Sequence, residues 1–166
     1  MKYSFSGRAA LVTGAGSGIG EAIARLLASN GLSVVVSDVS ADNAERVAKL
    51  INTDGGQAVA NVADVARIDD VEAAVACAVD MFGGLHFAVN NAGISGDQSP
   101  VGELDPAAWS RVIDINLNGV FYACAIRFPR SFVQEVVPSS TSLRSWGWSA
   151  MQETQRTSQP STLLPG

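Results

Sequence analysis

The stretch Ala9-Ala10-Leu11-Val12-Thr13-Gly14-Ala15-Gly16-Ser17-Gly18-Ile19-Gly20 decides how this chain is read. Ala10, Leu11 and Val12 fit a buried strand, and the first helical turns are expected near Gly18 and Ile19. Glycines at 14, 16, 18 and 20 let the backbone turn tightly and leave no Cβ between the chain and a ligand. A helix start carries free N–H groups and the positive end of the peptide dipole, so it can face an anion such as a pyrophosphate. A Gly-rich strand-to-helix turn also exists without any ligand, and the glycines alone do not choose between the two.

Downstream the chain alternates between two periodicities. Ile19, Ile23, Leu26 and Leu27 repeat at helical spacing up to Asn30-Gly31. Leu32 to Val36 is a dense β-branched run closed by Ser37-Asp38, the second strand. A helix with Ala44, Val47, Leu50 and Ile51 on one face ends at Asp54-Gly55-Gly56, and Gln57 to Val62 is the third strand. Val71, Ala74, Val75, Ala78, Val79 and Phe82 mark a third helix stopped by Gly83-Gly84. Leu85 to Val89 is the fourth strand and runs into Asn90-Asn91-Ala92-Gly93. Strand and helix alternating through short turns is the pattern of a parallel sheet covered on both faces. Right-handed crossovers then bring the Gly-rich turn to the carboxyl ends of the strands, where such folds bind ligands.

After a loop from Ile94 to Leu104, Asp105-Pro106 reads as an N-cap followed by proline in the first turn. Trp109, Val112, Ile113, Leu117, Val120 and Phe121 form a helical stripe for which a core role is expected. Asn116 lies among them, where it faces solvent, holds backbone or water, or serves a site. From Pro129 to Gly166 neither period is sustained, and Ser, Thr, Pro, Arg and Gln dominate. Two regions are therefore expected: 1–128, an α/β domain, and 129–166, an irregular or disordered tail.

Composition narrows the function classes. The chain has 166 residues, 47% apolar and 16% charged, enough for one domain with a real core. A formal charge of −5 without a long basic run argues against a nucleic-acid face. No apolar stretch has the length of a membrane span or a signal-peptide core, so the cytoplasm is the expected location. Cys77 and Cys124 are expected to be buried thiols in a reducing compartment. No His, Cys or carboxylate cluster has metal-ligand spacing, so no metal is expected.

Asp38 follows the second strand roughly twenty residues after the glycines, where a carboxylate can accept both ribose hydroxyls of an adenosine and repel a 2′-phosphate. It can equally cap the helix that starts near Ser40. With the Gly-rich turn upstream, and no Arg or Lys between Ala15 and Ser17 or just after Asp38, NAD is favoured over NADP. Asp64 can bond an adenine amino group or cap the helix before Val71. Asn90 can pin the neighbouring strand and a cofactor, or form an Asx turn. His86 reads as a core or edge residue.

Taken together these residues resemble the classical short-chain dehydrogenase/reductase family. Thr13, Gly14, Gly16, Ser17, Gly18, Ile19 and Gly20 match its nucleotide fingerprint, and Asp38 its NAD preference. Asp64-Val65 matches its adenine contact, Asn90-Asn91-Ala92-Gly93 its fourth-strand motif, and Asn116 the helix asparagine of its catalytic tetrad. The resemblance covers about residues 6–126. It implies a Rossmann-like doubly wound sheet, here incomplete at about four strands, and NAD as cofactor. It further implies a hydride exchanged with a secondary alcohol or ketone, with Thr13, Gly14, Gly16, Ser17, Gly18, Ile19, Gly20, Asp38, Asp64, Val65, Asn90, Ala92 and Gly93 at the cofactor and Asn116 in catalysis.

The family's chemistry also needs a serine and a tyrosine followed four positions on by a lysine, because a tyrosine near 10 must be shifted down by a cation to work at neutrality. Neither Tyr3 nor Tyr122 has a lysine there, and none follows Lys49. Codons for Val136 to Thr162, regrouped to start on each third base, permit GAIVNIASIVGLVGYAGNAAYVAAKH. That string resembles the family's fifth strand and places serine across Leu143 and Arg144, tyrosine across Arg156 and Thr157, and lysine across Pro160 and Ser161. The expectation is a frame shift near residues 126–131 with an early stop. The chain would then lack turnover and the family's oligomer faces, and its fourth strand would become a sheet edge; the alternative is a non-catalytic nucleotide-binding or interaction protein with a genuine divergent tail.

Overall fold

A computed structural model describes residues 8–127 of the chain. Four strands, β1 (Ala9–Thr13), β2 (Ser33–Asp38), β3 (Gln57–Val62) and β4 (Phe87–Val89), alternate with helices α1 (Gly18–Ser29), α2 (Ala41–Thr53) and α3 (Ile68–Phe82). A short 3-10 turn (Val101–Glu103) leads to α4 (Pro106–Ile113), a π-helical turn (Asp114–Asn118) and α5 (Gly119–Arg127). The strands form one parallel sheet in the order β3-β2-β1-β4. The expected α/β sheet with helices on both faces is thus present, with β4 at the end of the order. Residues 128–166, which hold the expected tail, lie outside the described residues.

Strand alternation divides the core between two layers. In register, Ala10 faces Val34 and Val12 faces Val36. These four side chains are buried with Ala24 and Ala28 of α1 and with Ala44, Val47 and Ile51 of α2. Leu11 and Val35 point the other way, into a cluster with Ala74 and Ala78 of α3. Full burial of a valine or leucine is worth about 1.5–3 kcal/mol, so these strand centres hold the sandwich together. A third cluster joins Val65 and Val71 to Ile115 and Ala123, placing α5 against α3.

The helical stripe after Asp105 is corrected by the structure. Asp105 does cap α4, its carboxylate accepting from the Ala107 N–H at 3.0 Å. Yet Trp109, Leu117 and Phe121 are 56, 61 and 65% exposed, while Ile115, Gly119 and Ala123 form the buried line. The π turn adds a residue and rotates the following helix by about 100° relative to a continuous 3.6-residue period. Close approach needs Gly119, because a Cβ there would stand 2.9 Å from Val65 Cγ2. Past Ile115, small residues rather than large apolar ones therefore mark the buried side. The cysteine expectation fails in part for the same reason: Cys124, next to Ala123, is exposed, and Cys77 is half-buried; both are free thiols. His86 lies at the edge, exposed, its Nδ1 accepting from the Ala9 N–H at 3.0 Å.

Candidate functional site

The sheet order puts β1 between β2 and β4, so the chain moves one way from β1 to β2 and crosses back over β1 to reach β4. At such a switch point the loops leaving the strands diverge and open a crevice. A cleft of about 380 Å³ lies there, lined by Gly14, Ser17, Gly18, Ile19, Gly20, Asp38, Val39, Ala63, Asp64, Val65, Asn91, Ala92, Gly93, Ile94, Arg111 and Ile115. This volume falls within the range of roughly 300–1,000 Å³ usual for small-molecule sites.

The glycine turn is shaped by two requirements. Gly14 sits at φ +62°, in the left-handed region, and a Cβ on it would lie 2.8 Å from the Cα of Ala92. Gly20 lets α1 start directly against the turn, since a Cβ there would overlap the Gly14 carbonyl oxygen and stand 2.6 Å from Asn91 Nδ2. The opening N–H groups of α1 have no preceding helical turn to supply acceptors, and they border the cleft. With the dipole behind them they favour an anion.

Asp38 closes β2 opposite this turn. Its Oδ2 accepts from the Gly16 N–H at 2.8 Å and its Oδ1 from the Ser40 N–H at 3.0 Å. The cap of α2 is made by Ser40, whose hydroxyl accepts from the Asn43 N–H at 3.4 Å. The carboxylate thus stands at the cleft wall with its orientation fixed by two peptides, and it retains lone pairs for hydroxyl donors. Asp64 uses Oδ1 to accept from the Ala66 N–H at 3.0 Å, and its own N–H donates to Asp70 Oδ2 at 3.0 Å. That geometry organises the turn after β3 and presents Val65 to the cleft.

The pinning role expected of Asn90 belongs to its neighbour. Asn91 donates Nδ2 to the carbonyls of Thr13 at 3.0 Å and Gly14 at 3.1 Å. Thr13 Oγ1 accepts from the N–H groups of Asn91 and Ala92, both at 3.1 Å. Asn90 turns the other way, its Nδ2 at 3.9 Å from Cys124 Sγ, as adjacent residues leaving a strand point to opposite faces. Thr13 and Asn90 line a smaller cavity behind the cleft instead.

Asn116 sits in the π turn and straps the loop after β4. Its Oδ1 accepts from the Ile94 N–H and its Nδ2 donates to the Ile94 carbonyl, both at 2.9 Å. A π turn frequently marks a functional position, because it turns a side chain out of the helical period. Two contributors carried no local signal in the sequence. Arg46 of α2 donates to the Gly16 carbonyl at 2.8 Å, and Arg111 of α4 lines the cleft.

A Gly-turn anion site, a carboxylate at the end of the second strand and a strapped loop after the fourth strand are the parts of a dinucleotide crevice. The family model for short chain dehydrogenases matches residues 8–135. The chain belongs to the short-chain dehydrogenase family. It is 50% identical over 129 residues to a cyclohexanol dehydrogenase of Acinetobacter sp., covering 78% of this chain and 51% of that protein. It is 48% identical over 120 residues to a cis-4-hydroxycyclohexanecarboxylate dehydrogenase of Sinomonas cyclohexanicum, covering 72% and 48%. Among solved structures, a metagenomic short-chain oxidoreductase in complex with NADP matches with TM-score 0.74 and 32% identity, over 80% of this chain and 60% of that one. A hydroxysteroid dehydrogenase from Escherichia coli matches with TM-score 0.71 and 36% identity, over 76% and 53%. The chain spans about half the length of the curated relatives it matches. Its family and fold imply a nicotinamide dinucleotide as cofactor. Among the described residues no helix is long and apolar enough to cross a membrane, and no group of three or more His, Cys, Asp or Glu could hold a metal ion.

Proposed function

We propose that this chain is the cofactor-binding part of a cytoplasmic NAD-dependent dehydrogenase whose complete form moves a hydride between nicotinamide and a secondary alcohol or ketone. The observation that carries the choice of NAD is the Asp38 carboxylate at the cleft wall, held by the Gly16 and Ser40 N–H groups. There it is placed to accept the ribose hydroxyls of the adenosine half and to repel a 2′-phosphate. The opening turn of α1 takes the pyrophosphate, Val65 faces the adenine side, and Ala92, Gly93 and Ile94 border the nicotinamide side. Asn116 acts on that side through the main chain of Ile94. The bound dinucleotide would accept a hydride at its nicotinamide ring when oxidised and donate one when reduced.

This chain is proposed to bind without turning over. It contains no tyrosine followed four positions on by lysine, so no acid/base group for the alcohol proton is present. The family match ends at residue 135, and synonymous codon choices for residues 136–162 permit, in the shifted frame, a family-like strand, serine, tyrosine and lysine. We read residues from about 129 onward as encoded in a shifted frame. The relatives named for cyclohexanol and for a hydroxycyclohexane acid make an alicyclic secondary alcohol the first substrate to try on a frame-restored gene.

Calorimetric titration of the chain with NAD and with NADP tests the cofactor reading. NAD is expected to bind at least about tenfold more tightly, a difference of about 1.4 kcal/mol, and Asp38→Asn to remove most of that preference. Tighter binding of NADP to the unaltered chain would overturn it. Sequencing the gene through residue 166 and onward tests the frame reading: codons that do not spell the serine and the tyrosine-lysine pair in the shifted frame refute it.

A further inference from the structure

Gly16 is held on both sides of its residue by groups from opposite directions. Its N–H donates to Asp38 Oδ2 at 2.8 Å, and its carbonyl accepts from Arg46 Nη2, also at 2.8 Å. Arg46 is itself fixed by Glu21 of α1, with Nη2 to Oε2 at 2.7 Å and Nη1 to Oε1 at 3.3 Å. This two-point fork holds the planar guanidinium in one plane, which a lysine could not reproduce. The space around Gly16 is closed as well: a Cβ there would stand 2.7 Å from both Asn43 Cβ and Asp38 Oδ2. Glu21 therefore orients Arg46, Arg46 orients the Gly16 carbonyl, and Gly16 orients Asp38.

We infer that Arg46, braced by Glu21, is a positioning residue that sets dinucleotide affinity by locking the Asp38 carboxylate to the glycine turn. The inference rests on the proposed dinucleotide-binding function. Its physical content is that the ribose-reading carboxylate and the pyrophosphate-binding turn must keep a fixed separation to engage one ligand together. Without the clamp the Gly16 torsions are less restrained, its N–H is held on Asp38 less of the time, and the carboxylate, then kept mainly by the Ser40 N–H, must be ordered further at the ligand's expense. The carbonyl is also kept from turning toward the cleft, where it would face the phosphates with its negative end. Arg46 touches no ligand in this account and acts wholly through Gly16 and Asp38.

The test is a double-mutant cycle on the full chain, read as the Kd for NAD. Arg46→Met is expected to raise Kd about tenfold in the unaltered background and less than about twofold in Asp38→Asn, because its effect passes through Asp38. Arg46→Lys, which reaches one partner but not both, is expected to fall between. An equal loss in both backgrounds means that Arg46 acts as a distant charge on the phosphates, and it overturns the inference, as does no loss at all. Melting temperatures of each variant establish that folding is retained. If the double variant binds too weakly to titrate, exchange of the Gly16 amide in the ligand-free Arg46→Met chain decides. Faster exchange by about tenfold supports the clamp, and unchanged exchange refutes it. Failure of the unaltered chain to bind either dinucleotide would instead remove the function on which the inference depends.

Discussion

Replacing Asn91 by aspartate changes one NH₂ group into an oxygen, and the structure makes that change severe. Asn91 Nδ2 donates to two carbonyl oxygens, of Thr13 at 3.0 Å and Gly14 at 3.1 Å, at a half-buried position that joins β4 to the glycine turn. An ionised aspartate would aim negative charge at both. The folded state therefore favours the protonated acid, which raises its pKa and restores one of the two bonds for as long as the proton is held. The lost bond costs about 1 kcal/mol at every pH. Once the acid has ionised in both states, an acceptor-only carboxylate held against two carbonyls costs about 2–3 kcal/mol more. The sign follows from proton binding: between the unfolded value and the raised folded one the folded state holds more protons than the unfolded, so stability of the variant falls as pH rises through that window. Urea unfolding at pH 7.5 should show a deficit of about 3–4 kcal/mol against the unaltered chain, shrinking to about 1 kcal/mol near pH 4. In thermal melts the neutral-pH deficit is worth roughly 12–16 °C for a domain of this size. A deficit that does not shrink on acidification would refute the reasoning, because it would mean that Asn91 does not donate to those carbonyls.

The remaining predictions rest on separate features. Gly20→Ala should destabilise by about 3 kcal/mol or more, since its Cβ meets the Gly14 carbonyl and the Asn91 amide, whereas Gly18→Ala, at φ +55° with no atom within 4 Å of its Cβ, should cost only about 1–2 kcal/mol. Urea midpoints of the two variants order them, and equal losses would count against this packing. The Arg46 hydrogen bond, followed in weight by the opposing cost of burial, holds the Glu21 carboxyl below its usual range. The stability it contributes is therefore present above the unfolded value near ~4.3 and is lost as pH falls through the lower folded value. Glu21→Gln should flatten the acid limb of stability below about pH 5, and an unchanged limb would show that the pair contributes nothing. Finally, Cys124 is exposed, while burial and then the Asp80 charge push the Cys77 thiol up. Iodoacetamide at pH 7.5 should alkylate Cys124 about tenfold faster, read by peptide mass mapping; the reverse order would contradict the burial of Cys77.

Much of this architecture could be read from local pattern. The β-branched run at Val34–Val36, the glycine cluster after Val12 and the stop signals at Asn30-Gly31, Asp54-Gly55 and Gly83 each act within a few residues, so strand, turn and helix follow from local propensity. Gln57–Val62 forms β3 over the range its pattern predicts, despite its alanines. β4 is shorter than its apolar run, Phe87–Val89 rather than Leu85–Val89, because Leu85 is buried in the α3 cluster instead of the ladder. The stripe through α4 and α5 misled because a π turn breaks the period without any Pro or Gly to announce it at its start.

The division in the candidate site follows the same physics. Gly14, Gly20 and Asp38 were legible because each answers a backbone or charge requirement tied to its own position in the strand-turn-helix unit. Asn91, Arg46 and Asn116 acquire their partners only when distant segments meet: Asn91 bridges residues 77 and 78 positions away, Arg46 reaches 30 residues back to Gly16, and Asn116 reaches 22 back to Ile94. Sequence by itself determined the kind of sheet, the glycine turn between its first strand and helix, and the carboxylate that ends the second strand beside that turn. Only the tertiary structure decided which asparagine pins the turn, which arginine braces it and which face of the last helices is buried. A hydrogen bond across the fold depends on relative position in space, and no local period encodes that.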